Sequence, residues 1–295
     1  MYNRFTMCNL EEKSMLLGWI VILSVLAAAG LGALNGSFAT YAWLWQLPLT
    51  ALGFVLLGIL LAFLFLLVLA ARVDLDKEQK EDSKLYRKTI ELYLQSALPV
   101  LRWDITTKGM EKLPASGRFL LVCNHVALAD PVVLLRVFSG RQVAFISKRE
   151  NQTMFLVGKL MHKMLCQPIN RENDREALKT ILKCIQILRE DKASVGVFPE
   201  GYIHPDKKLH HFRSGVFKIA TKTQVPIVVC TLKGTKNAIE NLLHFRYSPI
   251  EASVVAVIQP EEYAQLNTTE IAQRVYDLMA ADLGPEEVAE ESVDI

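Results

Sequence analysis

Between Lys13 and Arg72 the chain carries no Asp, Glu, Lys or Arg, a run of 58 residues. A water-soluble domain cannot absorb such a stretch, because too much of any folded surface must face water. Residues 14–34 are uncharged and, as a helix rising about 1.5 Å per residue, extend roughly 31 Å, the thickness of a hydrocarbon core. Residues 47–71 extend roughly 37 Å on the same arithmetic, enough to cross with tilt. Two spans make a hairpin. Their connection, residues 35–46, holds Tyr41, Trp43 and Trp45 but no Lys or Arg, whereas Arg4, Lys13, Arg72 and Lys77 lie outside the spans. Basic residues stay on the cytoplasmic side, so both termini and everything after Arg72 are expected there, in an integral membrane protein assigned to a bacterial cytoplasmic membrane. A cleaved signal peptide fits less well: the apolar run is longer than an ordinary signal core, and no long charged segment separates it from the second span. Ala28 and Gly32, four apart, are candidates for a close approach of the two helices.

The rest of the chain has ordinary charge density. Four regions follow: a membrane anchor over 1–71, a charged amphipathic linker helix over 72–100, a cytoplasmic domain over 101–284, and an acidic tail over 285–295 expected to be disordered. From Arg72 to Pro260 there are 30 Lys and Arg against 19 Asp and Glu, whereas residues 261–295 hold ten acids and only Arg274 as a base. A basic body tethered to a bilayer is drawn to anionic lipid and suits an anionic substrate. Nothing resembles a nucleic-acid motif, and no nucleic-acid partner is expected. The five cysteines, Cys8, Cys123, Cys166, Cys184 and Cys230, form no C-x-x-C pair and predict neither a disulfide framework nor structural zinc.

Residues 85–100 read as an amphipathic helix ended by Pro99, lying on the membrane or packed on the domain. Beyond it short apolar runs alternate with helical stretches. Strands are expected at 103–109, 118–123, 143–147, 164–169, 194–198, 227–232 and 252–258, and helices at 131–138, 174–190, 214–223 and 268–283. That order predicts an α/β fold, a largely parallel twisted sheet flanked by helices and preceded by the transmembrane hairpin.

Three strand ends carry polar residues suited to chemistry. After 118–123 come Asn124, His125 and, five positions later, Asp130. Open α/β sheets bind ligands at the carboxyl ends of their strands, and a carboxylate that fixes the tautomer of a histidine leaves its other ring nitrogen free to take a proton. Asp130 before Pro131 also reads as an ordinary helix N-cap. After 194–198 the turn Pro199, Glu200, Gly201 could stand beside the histidine or be merely a turn. Arg171, closing the stretch Gln167 to Arg171, could hold a phosphate through paired hydrogen bonds or form a surface ion pair. His204, His210 and His211 lack the accompanying ligands that would make a metal site, and no metal is expected.

In this order the elements resemble the glycerolipid acyltransferase family. Its N-H-x4-D block is similar to Asn124, His125 and Asp130, and its arginine after a strand to Arg171. Its F-P-E-G-T-R-S block is similar to Phe198, Pro199, Glu200 and Gly201, and its V-P-I-V block to residues 225–228. A basic residue and a glycine after the third block look similar at Arg213 and Gly215. The resemblance covers about residues 101–260. It implies that His125, oriented by Asp130, deprotonates the free hydroxyl of a lysophospholipid, 1-acylglycerol-3-phosphate first among them. The oxygen then attacks the thioester of acyl-CoA or acyl-carrier protein, with no cofactor. It implies that Asn124, Arg171, Glu200, Gly201 and Arg213 bind substrate, with membrane lipids as partners. Where the family continues with Thr-Arg-Ser, this chain has Tyr202, Ile203 and His204, so an expected phosphate ligand is missing. Lys207, Lys208 and Arg213 are the nearby replacements. A different lysolipid acceptor, such as lyso-ornithine lipid, or a silent lipid-binding protein of the same fold are the alternatives.

Overall fold

The computed structural model describes residues 15–289. The basic flank Arg4 and Lys13, Cys8, Ser14 and the end of the acidic tail lie outside the described residues. Helices α1 (Met15–Leu34) and α2 (Trp43–Ala71) pack together and are long and apolar enough to cross a membrane. Helix α2 begins four residues earlier than expected, taking Trp43 and Trp45 into its first turn, and Pro48 lies inside the helix in its second turn, where it has no N–H to give the Leu44 carbonyl. Ala28 is buried as expected of a close approach, but Gly32 faces Phe38. The tightest contact is elsewhere, at Gly58, where an added Cβ would come within 2.7 Å of Ile20.

The linker forms α3 (Lys84–Leu101), which docks on its neighbours. Tyr86 Oη donates to the Leu69 carbonyl at 2.9 Å and Tyr93 Oη to that of Ala62 at 2.7 Å, so α3 is fastened to α2. Buried Arg87 forms a two-point pair with Asp82 at 2.6 and 2.9 Å and reaches the Val143 carbonyl, fixing the same helix to the sheet. Pro99 does not end α3, contrary to expectation. It sits in the last turn, and the helix runs two residues further to Leu101, capped by Arg102 in the left-handed conformation.

The domain is β1 (Trp103–Lys108), β2 (Leu120–Cys123), α4 (Asp130–Val137), β3 (Val143–Lys148), α5 (Phe155–Lys163), β4 (Gln167–Ile169), α6 (Asp174–Arg189), β5 (Ser194–Val197), α7 (Lys218–Thr223), β6 (Ile227–Lys233), α8 (Ala238–Leu243), β7 (Ser248–Ile258), α9 (Pro260–Tyr263) and α10 (Thr268–Leu283). One seven-stranded sheet runs β1-β7-β6-β2-β5-β3-β4, and only the β6–β7 pairing is antiparallel. The expected α/β class with a largely parallel sheet is what forms. Strands β2 and β5 are buried throughout, as a sheet covered on both faces requires. One face packs on α6, α7 and α10, the other on α4 with part of α3.

The tail departs from expectation at its start. Residues 285–289 are tied down: the Leu209 amide donates to the Glu287 carbonyl at 2.8 Å, the Ala289 amide donates to that of Leu209 at 3.0 Å, and Lys236 pairs with Glu287. Backbone pairing with a fully buried Leu209 orders these residues despite their acidity.

Candidate active site

Strands β2, β5 and β4 are parallel, so their carboxyl ends deliver residues 124–130, 198–201 and 170–171 to one edge of the sheet. His125 Nδ1 lies 2.9 Å from Asp130 Oδ2, and the same oxygen accepts the backbone N–H groups of Val126 at 2.7 Å and Ala127 at 2.8 Å. Asp130 is fully buried, and its other oxygen has no hydrogen-bond partner among the described residues. The N-cap reading fails on this geometry. The carboxylate turns back to the loop before α4 instead of forward to the helix amides, and Asp130 is itself the first helical residue. The His125 ring stacks on Phe198 with centroids 4.2 Å apart and remains partly exposed. With Nδ1 committed to Asp130, the tautomer that carries a proton on Nδ1 leaves Nε2 as the base.

Two residues expected to touch substrate are engaged elsewhere. Asn124 is buried, its amide donating to the Leu232 carbonyl at 3.0 Å and its oxygen accepting the Leu232 N–H at 2.8 Å, so it continues the pairing of β2 with β6. Asn124→Leu leaves both Leu232 groups unpaired and should destabilise the fold by about 1–3 kcal/mol for each. Thermal unfolding checks this. Glu200, also buried, accepts the backbone N–H of His125 at 2.7 Å and that of His210 at 3.2 Å, so it joins two loops instead of facing a ligand. Burial pushes its carboxyl up to about 8, against the pull of those two N–H groups, with Asp130 and Asp206 adding to the rise.

A folded-state value above the unfolded one favours the proton-bound fold. Stability from this group is therefore full below the ordinary carboxyl range and lost as pH rises toward about 8. Glu200→Gln lacks that titration. The melting temperature of the wild type relative to Glu200→Gln should fall across this window and level off above it.

Gly201 has φ +91° and shapes the turn, and a Cβ there would meet Arg213 Nε at 3.1 Å. The Arg213 side chain thus lies against the 198–201 turn, and its amide donates to the Pro199 carbonyl at 2.9 Å. Of the three expected replacements for the missing arginine, Lys207 is occupied by the Lys236 carbonyl and Lys208 sits one residue beyond it, whereas Arg213 reaches the site. Burial, and then the charge of Arg213, lowers the pKa of the Arg171 guanidinium, with Glu150 opposing. No ion pair to Arg171 or Arg213 occurs among the described residues. Two such cations drawn together favour an anion between them. Where Ile203 departs from the family pattern, Tyr202, His204 and His210 form a column of rings, with His204 and His210 stacked 3.5 Å apart and His210 held by Asp206. Neither this stack nor Phe198 beneath His125 is legible along the chain, because both are ring contacts between residues brought together only by folding.

The site therefore consists of a histidine–aspartate pair at a strand end, with Arg171 and Arg213 nearby, on a mixed α/β sheet. Residues 104–233 match the family model described as Acyltransferase. The chain is 36% identical over 141 residues to the chloroplastic 1-acyl-sn-glycerol-3-phosphate acyltransferase BAT2 of Brassica napus, covering 48% of this chain and 40% of that protein. It is 26% identical to the 1-acyl-sn-glycerol-3-phosphate acyltransferase of Borreliella burgdorferi, covering 61% of this chain and 74% of the relative. The solved structure of the 1-acyl-sn-glycerophosphate (LPA) acyltransferase PlsC from Thermotoga maritima shares the fold, with TM-score 0.51 at 24% identity over 65% of this chain and 78% of that one. Residues 104–233 of this chain thus carry the acyltransferase-family match. The chain spans about two fifths of the length of the plant relatives it matches.

Proposed function

We propose that the protein moves a fatty acyl group from acyl-CoA or acyl-carrier protein to the free hydroxyl of a lysophospholipid, with 1-acylglycerol-3-phosphate as the acceptor and phosphatidate as the product. The observation that carries this reading is the His125–Asp130 pair, 2.9 Å apart, with Asp130 buried. His125 Nε2 takes the hydroxyl proton as the oxygen forms its bond to the thioester carbonyl. Collapse of the tetrahedral adduct breaks the carbon–sulfur bond, and the imidazolium returns the proton to the departing thiolate. No acyl group passes through the protein. Asp130 stabilises the imidazolium and fixes the ring, and general-base help of this kind contributes about 10²–10⁴-fold. Arg171 and Arg213 hold the acceptor phosphate, in keeping with the names of the relatives. The hairpin keeps the domain on the cytoplasmic face of the membrane, where acceptor and product reside.

The test is a panel: protein in lipid nanodiscs receives labelled acyl-CoA and, in turn, lysophosphatidate, a zwitterionic lysolipid and lyso-ornithine lipid. Lysophosphatidate should be acylated fastest. Preference for either other lipid replaces the acceptor, and no transfer to any overturns the reading. The orientation has its own check: Ser83→Cys should resist a membrane-impermeant label applied to intact cells, while Ser37→Cys reacts.

A further inference from the structure

A second cavity, of about 320 Å³, lies between α3, β1 and the end of α4. Its volume falls in the range of small-ligand sites, about 300–1,000 Å³. Leu98, Ile105 and Val137 give it apolar walls. Two of the lining residues, Trp103 and Thr107, each carry a buried side-chain polar atom, Nε1 and Oγ, with no hydrogen-bond partner among the described residues, but neither atom opens to the cavity. Arg136 lines the same space half-buried, and no ion pair or hydrogen bond holds its guanidinium among the described residues. An indole N–H and a guanidinium are donors only. The cavity thus combines apolar walls with the unpaired Arg136 guanidinium, and the carboxylate on its lining, Asp104, is exposed.

It is separate from the catalytic site. Thr107 pairs with Ala252, Ala252 with Leu232, and Leu232 with Asn124, so three strand spacings, roughly 14 Å, separate Thr107 from the β2 end that carries His125.

The surroundings say what occupies it. The cavity sits about one turn of α3 beyond Tyr93, whose hydroxyl fastens that helix to apolar α2. Tyr247 on its lining is exposed, as are two residues close to the lining residues in sequence, Val100 and Phe245, the latter 80% exposed. Arg102 stacks over the Tyr247 ring at 4.4 Å and donates to the Phe245 carbonyl. Aromatic and apolar side chains interleaved with arginines beside an apolar hairpin suit the level of lipid headgroups.

We infer that this cavity is a second lipid site, taking an anionic glycerophospholipid from the bilayer, with its phosphate on Arg136 and an acyl chain along Leu98 and Ile105. It fastens the domain to acidic membrane independently of the reaction at His125.

The experiment places full-length protein in phosphatidylcholine nanodiscs containing phosphatidylglycerol with a diazirine in its acyl chain, and maps photo-crosslinks by mass spectrometry. Crosslinks are expected within residues 95–107 and 136–137, and the same diazirine carried on phosphatidylcholine should label them far less. Arg136→Gln should lower the yield there about 10-fold or more, as for loss of a hydrogen bond to a charged group. Ile105→Trp, which fills the cavity, should do the same. Unchanged acyl transfer in Arg136→Gln shows that the variant is folded. His125→Ala should crosslink like the wild type, so failure of the proposed reaction and failure of this site are told apart. Equal labelling by both lipids, an unchanged yield in Arg136→Gln, or crosslinks confined to α1 and α2 would overturn the assignment.

Discussion

His125→Ala should lower transfer by about 10²–10⁴-fold, the range for a positioned general base, while leaving the melting temperature close to that of the wild type. The ring lies at the edge of the fold against Phe198, so its loss removes a stacking contact and not core volume. Asp130→Asn is the more informative partner. Asparagine can place its oxygen where Asp130 Oδ2 accepts from Val126 and Ala127, so the loop keeps both bonds. Its amide nitrogen then takes the place of Oδ1, which is buried and has no hydrogen-bond partner among the described residues. Above all, the negative charge beside the imidazolium is gone. A fall in kcat approaching that of His125→Ala is therefore expected, measured as initial rates across pH. A near-normal rate would mean that Asp130 only shapes the loop.

The second large effect concerns the acceptor. Arg171 and Arg213 stand close enough for each to feel the other's charge, without a carboxylate paired to either among the described residues. A hydrogen bond to a charged group is worth about 1.5–3 kcal/mol, so Arg171→Ala should reduce kcat/KM for lysophosphatidate by roughly 10- to 150-fold. Arg213→Ala should cost a similar factor, since here it stands in for the arginine missing at Ile203. The loss should fall on the acceptor and spare the KM of the thioester. Arg171→Lys should recover only part, because an ammonium cannot form two parallel bonds. If both alanine variants lose nothing with lysophosphatidate but the protein prefers a zwitterionic lysolipid, the arginines do not read a phosphate monoester.

Much of the fold is legible because its signals are local. The uncharged run marks α1 and α2 by length alone, and residues 268–283 carry an Asn267 cap with Glu270 completing the box, so α10 is read to the residue. Short α5, α8 and α9 escape, since a helix of one or two turns barely shows a period. Pro99 misleads because a proline in the last turn removes only one bond. At the site, the residue types mark the place but not the roles. Asn124 and Glu200 look like ligand-binding groups along the chain, yet their partners, Leu232 in β6 and His210 in a distant loop, come from elsewhere in the fold, and only folding reveals that their hydrogen bonds are spent on backbone. Arg213 is the converse: 42 residues from Arg171 in sequence, it becomes its neighbour through the turn at Gly201.

Direct transfer from thioester to lipid hydroxyl, with His125 as base, leaves no acyl group on the protein at any stage. Protein mixed with carbonyl-labelled acyl-CoA, with and without lysophosphatidate, and quenched in acid within a single turnover tests it most directly. The account predicts that label moves to phosphatidate only when the acceptor is present, that none remains on the protein in either case, and that His125→Ala abolishes the movement. Acid-stable label on the protein before acceptor is added, or undiminished transfer by His125→Ala, would contradict it.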